Sequence, residues 1–363
     1  MRPLIDSHLD LAWNALYFNR DLLGTIDEVR RAEAGLTDEL SRGRNTVTLP
    51  ELRRANVPVC VATLMARSGP GQAQINHAKR IDLDYPSQTI AYAHAQGQLA
   101  YYRLLERQGH LRIITSREKL QQHWDAWKDS PTSTPMGIIL SMEGCDAILQ
   151  PEQTQEWWDD GLRLVGPVHY QRSQYAHGTG TDGPLSQAGR ELLKTFTRIG
   201  ITLDVTHLSD QSFAEALDVY EGPVLASHHN CRALVPGDRQ LDDQQIRRLI
   251  ERQAVIGTAF DDWMLYPGWK RGETDPQLVS IAAAADHIDH ICQIAGNTNH
   301  CAIGSDLDGG FGTEQTPREL NTITDIHQLE GILSQRGYSS ADIDAIFYGN
   351  WLRFLLNVLP QHS

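Results

Sequence analysis

Residues 4–10 read LIDSHLD. A short apolar run is closed by a histidine and an aspartate two residues apart. Alternation along a strand points both side chains to one face. Imidazole nitrogen and carboxylate oxygen are ordinary zinc ligands, at about 2.0–2.2 Å. Such a pair occurs in many proteins, so its meaning depends on how the later strands end.

Seven further runs read as strands: residues 57–64, 137–142, 162–169, 201–207, 224–228, 254–260 and 301–306. With residues 4–8 they make eight. Helical patterns lie between most of them, at 89–108, 185–199, 242–252 and 276–295. Ser186 is placed to cap the second, Gly200 to end it, and a proline opens the fourth. Strand–helix alternation implies a parallel sheet. Eight units imply an α/β fold closed as a (β/α)8, TIM-like barrel. Its 363 residues suit one such domain over 1–363, since these barrels run from about 200 to over 400 residues. The C-terminal WLRFLLNVLP, broken by Arg353 and Asn357, reads as an amphipathic helix on the body. Long connections at 10–56 and 67–88, and the Gly-rich stretch 170–184, belong on the active-site face.

The strands end alike. DSHLD, SMEG, PVHY, DVTH, ASHH and GSDLDG put His, Asp or Glu at six carboxyl ends, the face where barrels carry their active sites. Of fifteen histidines, four (His8, His169, His207 and His228) finish a strand. Glu143 would be a buried charge in the barrel mouth and needs a partner. Either it bridges two cations or it pairs with an arginine such as Arg163. His207 and His228 close adjacent strands and would complete a second metal site with it. His229 rivals His228, because periodicity does not say which face lines the barrel. Asp306 and Asp308 end the last strand. A carboxylate there can take a proton from water and deliver it to a leaving group, and Asp306 lies nearer the strand. Arg239 either forks onto a substrate carboxylate or faces solvent. The stretch DDWMLYPGW, 261–269, is a pocket wall or simple packing.

Composition narrows the class. The 40% hydrophobic and 21% charged content fits a globular chain. A net charge of −14 argues against nucleic-acid partners. No run approaches the roughly 20 apolar residues of a membrane span, and MRPLIDSHLD shows no signal peptide. Five cysteines without a CxxC pair point to a reducing cytoplasm.

The motifs DSHLD, SMEG, PVHY, DVTH, SHHNCRAL with a following DRQLDD, and GSDLDG resemble, in order and separation, those of the membrane (renal) dipeptidase family of amidohydrolases. The resemblance covers residues from about 5 to 350. It implies two Zn2+ ions per chain, one on His8 and Asp10, the other on His207 and His228, with Glu143 bridging. It favours His228 over His229. It gives His169 a substrate contact that steadies the tetrahedral intermediate, Arg239 the substrate carboxylate, and Asp306 proton transfer. The implied enzyme is a metallo-dipeptidase using a metal-bridging hydroxide on short substrates, including those with a C-terminal D-residue. Its partners are a dipeptide and a second copy of itself as a homodimer. Secreted mammalian members carry a signal sequence, an anchor tail and disulfides that are missing here, so their membrane location is not carried over. One rival is a lactonase, phosphoesterase or deaminase on the same site; several such relatives bridge their metals with a carboxylated lysine, and 162–169 holds none. The other is a non-catalytic binding protein on the same barrel.

Overall fold

The computed structural model describes residues 1–68 and 84–362. Eight parallel strands form its centre: β1 Ile5–Leu9, β2 Val59–Met65, β3 Met136–Glu143, β4 Leu162–Gly166, β5 Thr202–Asp204, β6 Val224–Leu225, β7 Ile256–Thr258 and β8 Cys301–Ile303. Strands β1 to β6 pair in chain order, as do β7 and β8. A parallel bridge from Ala226 to Ile256 joins β6 to β7. Between β8 and β1, Ser7 Oγ donates to the Ile303 carbonyl at 3.1 Å, and Ser305 N donates to Asp6 Oδ1 at 2.9 Å. The expected α/β barrel is the observed fold.

Burial explains the apolar runs. A parallel sheet covered on both faces needs continuous hydrophobic strands, and β3 is buried at all eight positions. Ile5, Val59, Val61, Ile139, Leu164, Leu225 and Ala302 share one cluster with Trp351, Phe354 and Leu355. The C-terminal helix Asn350–Val358 thus packs on the end of the barrel opposite the site, as its amphipathic pattern predicts. Trp351 Nε1 also donates to the Ile303 carbonyl at 2.8 Å.

The helices follow their caps. Ser186 Oγ accepts from Gly189 N, and Gly200 ends Gln187–Ile199 in the left-handed conformation. Asp242 and Gln245 form a capping box on Asp243–Glu251. The fourth expected helix is shorter: Pro276 opens a separate 3-10 turn, and the α-helix is Ala282–Ala295. The strands are shorter too. Those expected to reach His169, His207, His228 and Asp306 stop three residues earlier, at Gly166, Asp204, Leu225 and Ile303. Most of the connection expected at 67–88 lies outside the described residues. No described helix is long and apolar enough to cross a membrane.

Candidate metal centre

The register of β1 against β2 shifts between Asp6 and Leu9. Ile5 packs in the barrel interior, whereas Leu4 and Leu9 pack in the outer cluster. Strict alternation would send His8 outward with Leu4. The irregularity re-aims it, a known use of bulges beside active sites. His8 therefore joins Asp10 in the mouth, although alternation is not what brings them there.

Glu143 sits at the centre. It shares the inward face of β3 with Ile139, and Gly144 follows at φ 73°, a turn that suits glycine. Glu143 Oε2 lies 3.4 Å from His8 Nε2, while Oε1 lies 3.3 Å from both His207 Nε2 and His228 Nε2. His8 Nε2 is also 3.8 Å from Asp10 Oδ1 and 3.8 Å from Asp306 Oδ1. Ligand atoms of His8, Asp10 and Glu143 lie within 4.8 Å of one another, as do those of Glu143, His207 and His228, and of His8, His228 and Asp306. Two ligands on one tetrahedral zinc sit ~3.4 Å apart, so the spacings suit a cation on each side of Glu143. Arg163, the alternative partner, instead donates to the carbonyls of Thr115, Trp158 and Leu162. His229 is buried but is in none of these groups.

Hydroxyls orient the candidate ligands. Thr179 Oγ1 lies 3.0 Å from His207 Nδ1, and Ser227 Oγ lies 2.9 Å from His228 Nδ1. With Nδ1–H donating outward, each Nε2 presents a lone pair inward. Those two Nε2 atoms are only 3.3 Å apart. Thr63 Oγ1 donates to Asp10 Oδ1. Asp204 Oδ1 accepts from Thr206 N at 3.0 Å, Thr206 Oγ1 at 2.7 Å and Ser227 N at 3.0 Å, tying the turn after β5 to β6.

The electrostatics call for positive charge. Burial would lower His8, but the Glu143, Asp10 and Asp306 carboxylates outweigh it and raise it to about 10. Burial and Glu143 raise Asp10 to about 6. Burial, with Glu143 and Asp10, lifts Asp306 well above the usual carboxylate range. Conversely, burial and the Arg239 charge push His207 and His228 well below the usual imidazole range. His8 Nε2 and Glu143 Oε1 are buried without a hydrogen-bond partner among the described residues. Buried carboxylates, inward lone pairs and unpartnered atoms at one point fit divalent cations.

A cavity of about 430 Å³ opens above this cluster. Arg239 lines it and is 1% exposed, so the solvent-facing alternative does not hold. Its Nη2 donates to the His228 carbonyl at 3.0 Å, and its Nη1 has no hydrogen-bond partner among the described residues. His169 lines the cavity too, with Nε2 3.8 Å from Glu143 Oε1. Burial and the Arg67 and Arg239 charges lower it to about 3. Asp306 faces the cavity, whereas Asp308 accepts from Thr46 N, Thr46 Oγ1 and Val47 N and anchors that loop. Asp261, Trp263, Met264 and Trp269 make DDWMLYPGW a pocket wall.

The profile of the membrane dipeptidase family, peptidase family M19, matches residues 1–360. The chain belongs to this family. It is accordingly a metallo-dipeptidase by family. Curated relatives match part of it. A protein from the pqqA 5' region of Klebsiella pneumoniae is 30% identical over 62% of this chain and 83% of its own length. The dipeptidase tcpJ of Claviceps purpurea is 28% identical over 54% of this chain and 45% of its own length. The chain spans about half the length of several curated dipeptidases it matches. Two solved structures share the fold over 99% of both chains: the M19 dipeptidase AC (TM-score 0.79, 21% identity) and a Rhodobacter sphaeroides metallopeptidase liganded with a phosphinate mimic of L-Ala-D-Ala (TM-score 0.78, 22% identity).

Sequence reading missed Thr63, Thr179, Asp204, Ser227 and Arg67. Four are short polar residues too common to stand out. Arg67 carried a signal, since it lies just beyond a barrel strand, as Asp10, His169, His207, His228 and Asp306 do.

Proposed function

We propose that this M19 chain hydrolyses short dipeptides at a binuclear zinc centre held by His8, Asp10, Glu143, His207 and His228. The division of Glu143, with Oε2 toward His8 and Oε1 toward His207 and His228, carries the reading. Two divalent ions bound there would supply an acidified water and a Lewis acid for the peptide carbonyl. Arg239, buried and with its Nη1 unpaired among the described residues, holds the substrate's terminal carboxylate and limits substrates to short ones. His169 donates to the oxygen of the attacked carbonyl as charge develops on it. Asp306 takes one proton from the attacking water and passes it to the departing nitrogen as the C–N bond breaks. The L-Ala-D-Ala mimic on the Rhodobacter sphaeroides protein supports a substrate range that includes a C-terminal D-residue. A cytoplasmic location belongs to the same proposal, with the five cysteines as buried thiols.

The test is a panel of L–L and L–D dipeptides beside lactones and phosphoesters, with metal analysis of the purified protein. The proposal expects about two zinc ions per chain and turnover of dipeptides alone. Turnover of only a lactone or phosphoester, or less than one ion per chain after zinc addition, would sink it.

A further inference from the structure

Four histidines of the described residues surround Glu143, and in three of them the polar group on Nδ1 can be compared. His207 and His228 face hydroxyls, Thr179 Oγ1 and Ser227 Oγ. His169 faces a guanidinium: Arg67 Nη1 lies 2.8 Å from His169 Nδ1. Arg67 is buried, at 5% exposure, and His169 is 12% exposed where it lines the cavity.

A hydroxyl can accept a hydrogen bond, so it permits a proton on Nδ1 and a lone pair on Nε2. A guanidinium has five donors and no acceptor and stays charged. Against it, Nδ1 must accept and cannot carry a proton. A neutral imidazole keeps one ring proton, so in His169 that proton is on Nε2. This nitrogen lies 3.8 Å from Glu143 Oε1 and belongs to the cavity wall. The same ring type is thus set in opposite senses: lone pairs inward at His207 and His228, an N–H inward at His169.

We propose that Arg67 is a positioning residue that locks His169 in its Nε2–H tautomer, keeping it a hydrogen-bond donor to substrate and preventing it from becoming an additional metal ligand. The assignment rests on the dipeptidase reading only for what His169 donates to. The tautomer follows from the contact itself. In the Nδ1–H tautomer, a lone pair on Nε2 would repel the developing oxyanion, and the donor would be lost.

The tautomer is read directly by long-range 1H–15N correlation on 15N-histidine-labelled, zinc-loaded protein, with His169 assigned from its absence in His169→Asn. Wild type is expected to show a protonated Nε2 and a bare Nδ1 at His169. Arg67→Met is expected to lose that pattern, and Arg67→Lys, which keeps a donor, to retain it. In kinetics, Arg67→Met is expected to lower kcat about 10²-fold, the scale of one lost oxyanion donor, with KM changed less than about threefold. In a His169→Asn background the same change is expected to cost less than about twofold, because linked residues are not additive. A His169 that keeps Nε2–H in Arg67→Met overturns the proposal. So does a full 10²-fold loss in the His169→Asn background. If Arg67→Met does not fold, a wild-type spectrum with the proton on Nδ1, or an Arg67→Lys protein that loses the Nε2–H pattern, overturns it equally. Failure of the dipeptide assay leaves the spectra decisive, so the two readings fail separately.

Discussion

The two halves of the barrel bring their candidate ligands to Glu143 by different means. Strands β1 to β4 run five, seven, eight and five residues, and β5 to β8 only three, two, three and three. His8 lies within β1, Asp10 directly follows it, and Glu143 is the last residue of β3. His207 and His228 each stand three residues beyond a strand, and His207 has φ 69°. Ladder pairing with Met65 and Gly166 holds Glu143 in the first set, while His8 N donates to Asp6 Oδ1 at 3.1 Å and Asp10 accepts from Thr63 Oγ1. The second is held by side chains: Asp204 on Thr206 and Ser227, Thr179 on His207, Ser227 on His228. The stretch 170–184 adds a backbone clamp, Thr179 N to the His207 carbonyl at 2.9 Å. A ligand on a strand is fixed by the fold, whereas a ligand on a turn needs its own polar scaffold.

Glu143 belongs to both halves, so its loss erases the contrast and gives the largest effect. Glu143→Gln is expected to lower kcat/KM by about 10³-fold or more and to reduce bound zinc on both sides. Retention of near wild-type turnover with two ions per chain would show that Glu143 bridges nothing. The next test sets the halves against each other. Asp204→Ala removes the acceptor for two backbone N–H groups and a hydroxyl in the second half. It is expected to weaken one of two zinc-binding steps by about 10–100-fold, as losses around metal ligands do. Titration of metal-free protein with zinc should resolve one weakened step beside one unchanged. Equal weakening of both would mean the halves are not independent. A smaller change sharpens the point: Thr179→Val takes only the hydroxyl from His207 Nδ1. It is expected to cost about tenfold in the same step, and Thr63→Val about tenfold in the other. Both are read in the same titration.

The contrast also explains what was legible in the sequence. DSHLD and SMEG sit on or beside full strands, so apolar runs ending in His, Asp or Glu located them directly. The run IILSME is continuous because both faces of β3 are buried. Past β5 and β6 the same rule found His207 and His228 but overextended the strands to reach them. DVTH and ASHH are apolar enough to read as strand, yet Asp204 and Thr206 are bonding the turn. The choice of His228 over His229 needed the family motif. Bulges leave no pattern in a short strand, so the inward turn of His8 was reached by the wrong route. Thr179 was invisible because its partner lies 28 residues away.

The smallest expected effect is on stability, in the long loop after β7. Asp262 is buried, and neither carboxylate oxygen has a hydrogen-bond partner among the described residues. Burial, with Asp261, Glu314 and Glu319 nearby, raises it from 3.8 to about 9. Below pH 4 it is protonated folded and unfolded alike. Between pH 4 and 9 the folded chain holds a proton that the unfolded chain has released, so stability falls as pH rises. Asp262→Asn keeps the shape of the protonated acid and cannot ionise. Its gain over wild type should therefore grow with pH, by up to about 1.4 kcal/mol per pH unit between pH 6 and 8. That is a shift of several degrees in melting temperature. Parallel melting curves for the two proteins across this range would mean that Asp262 is ionised when folded. The loop would then hold a buried charge on a partner of its own, as the ligand turns after β5 and β6 hold theirs, and the difference between scaffolded and unscaffolded loops would not extend to it.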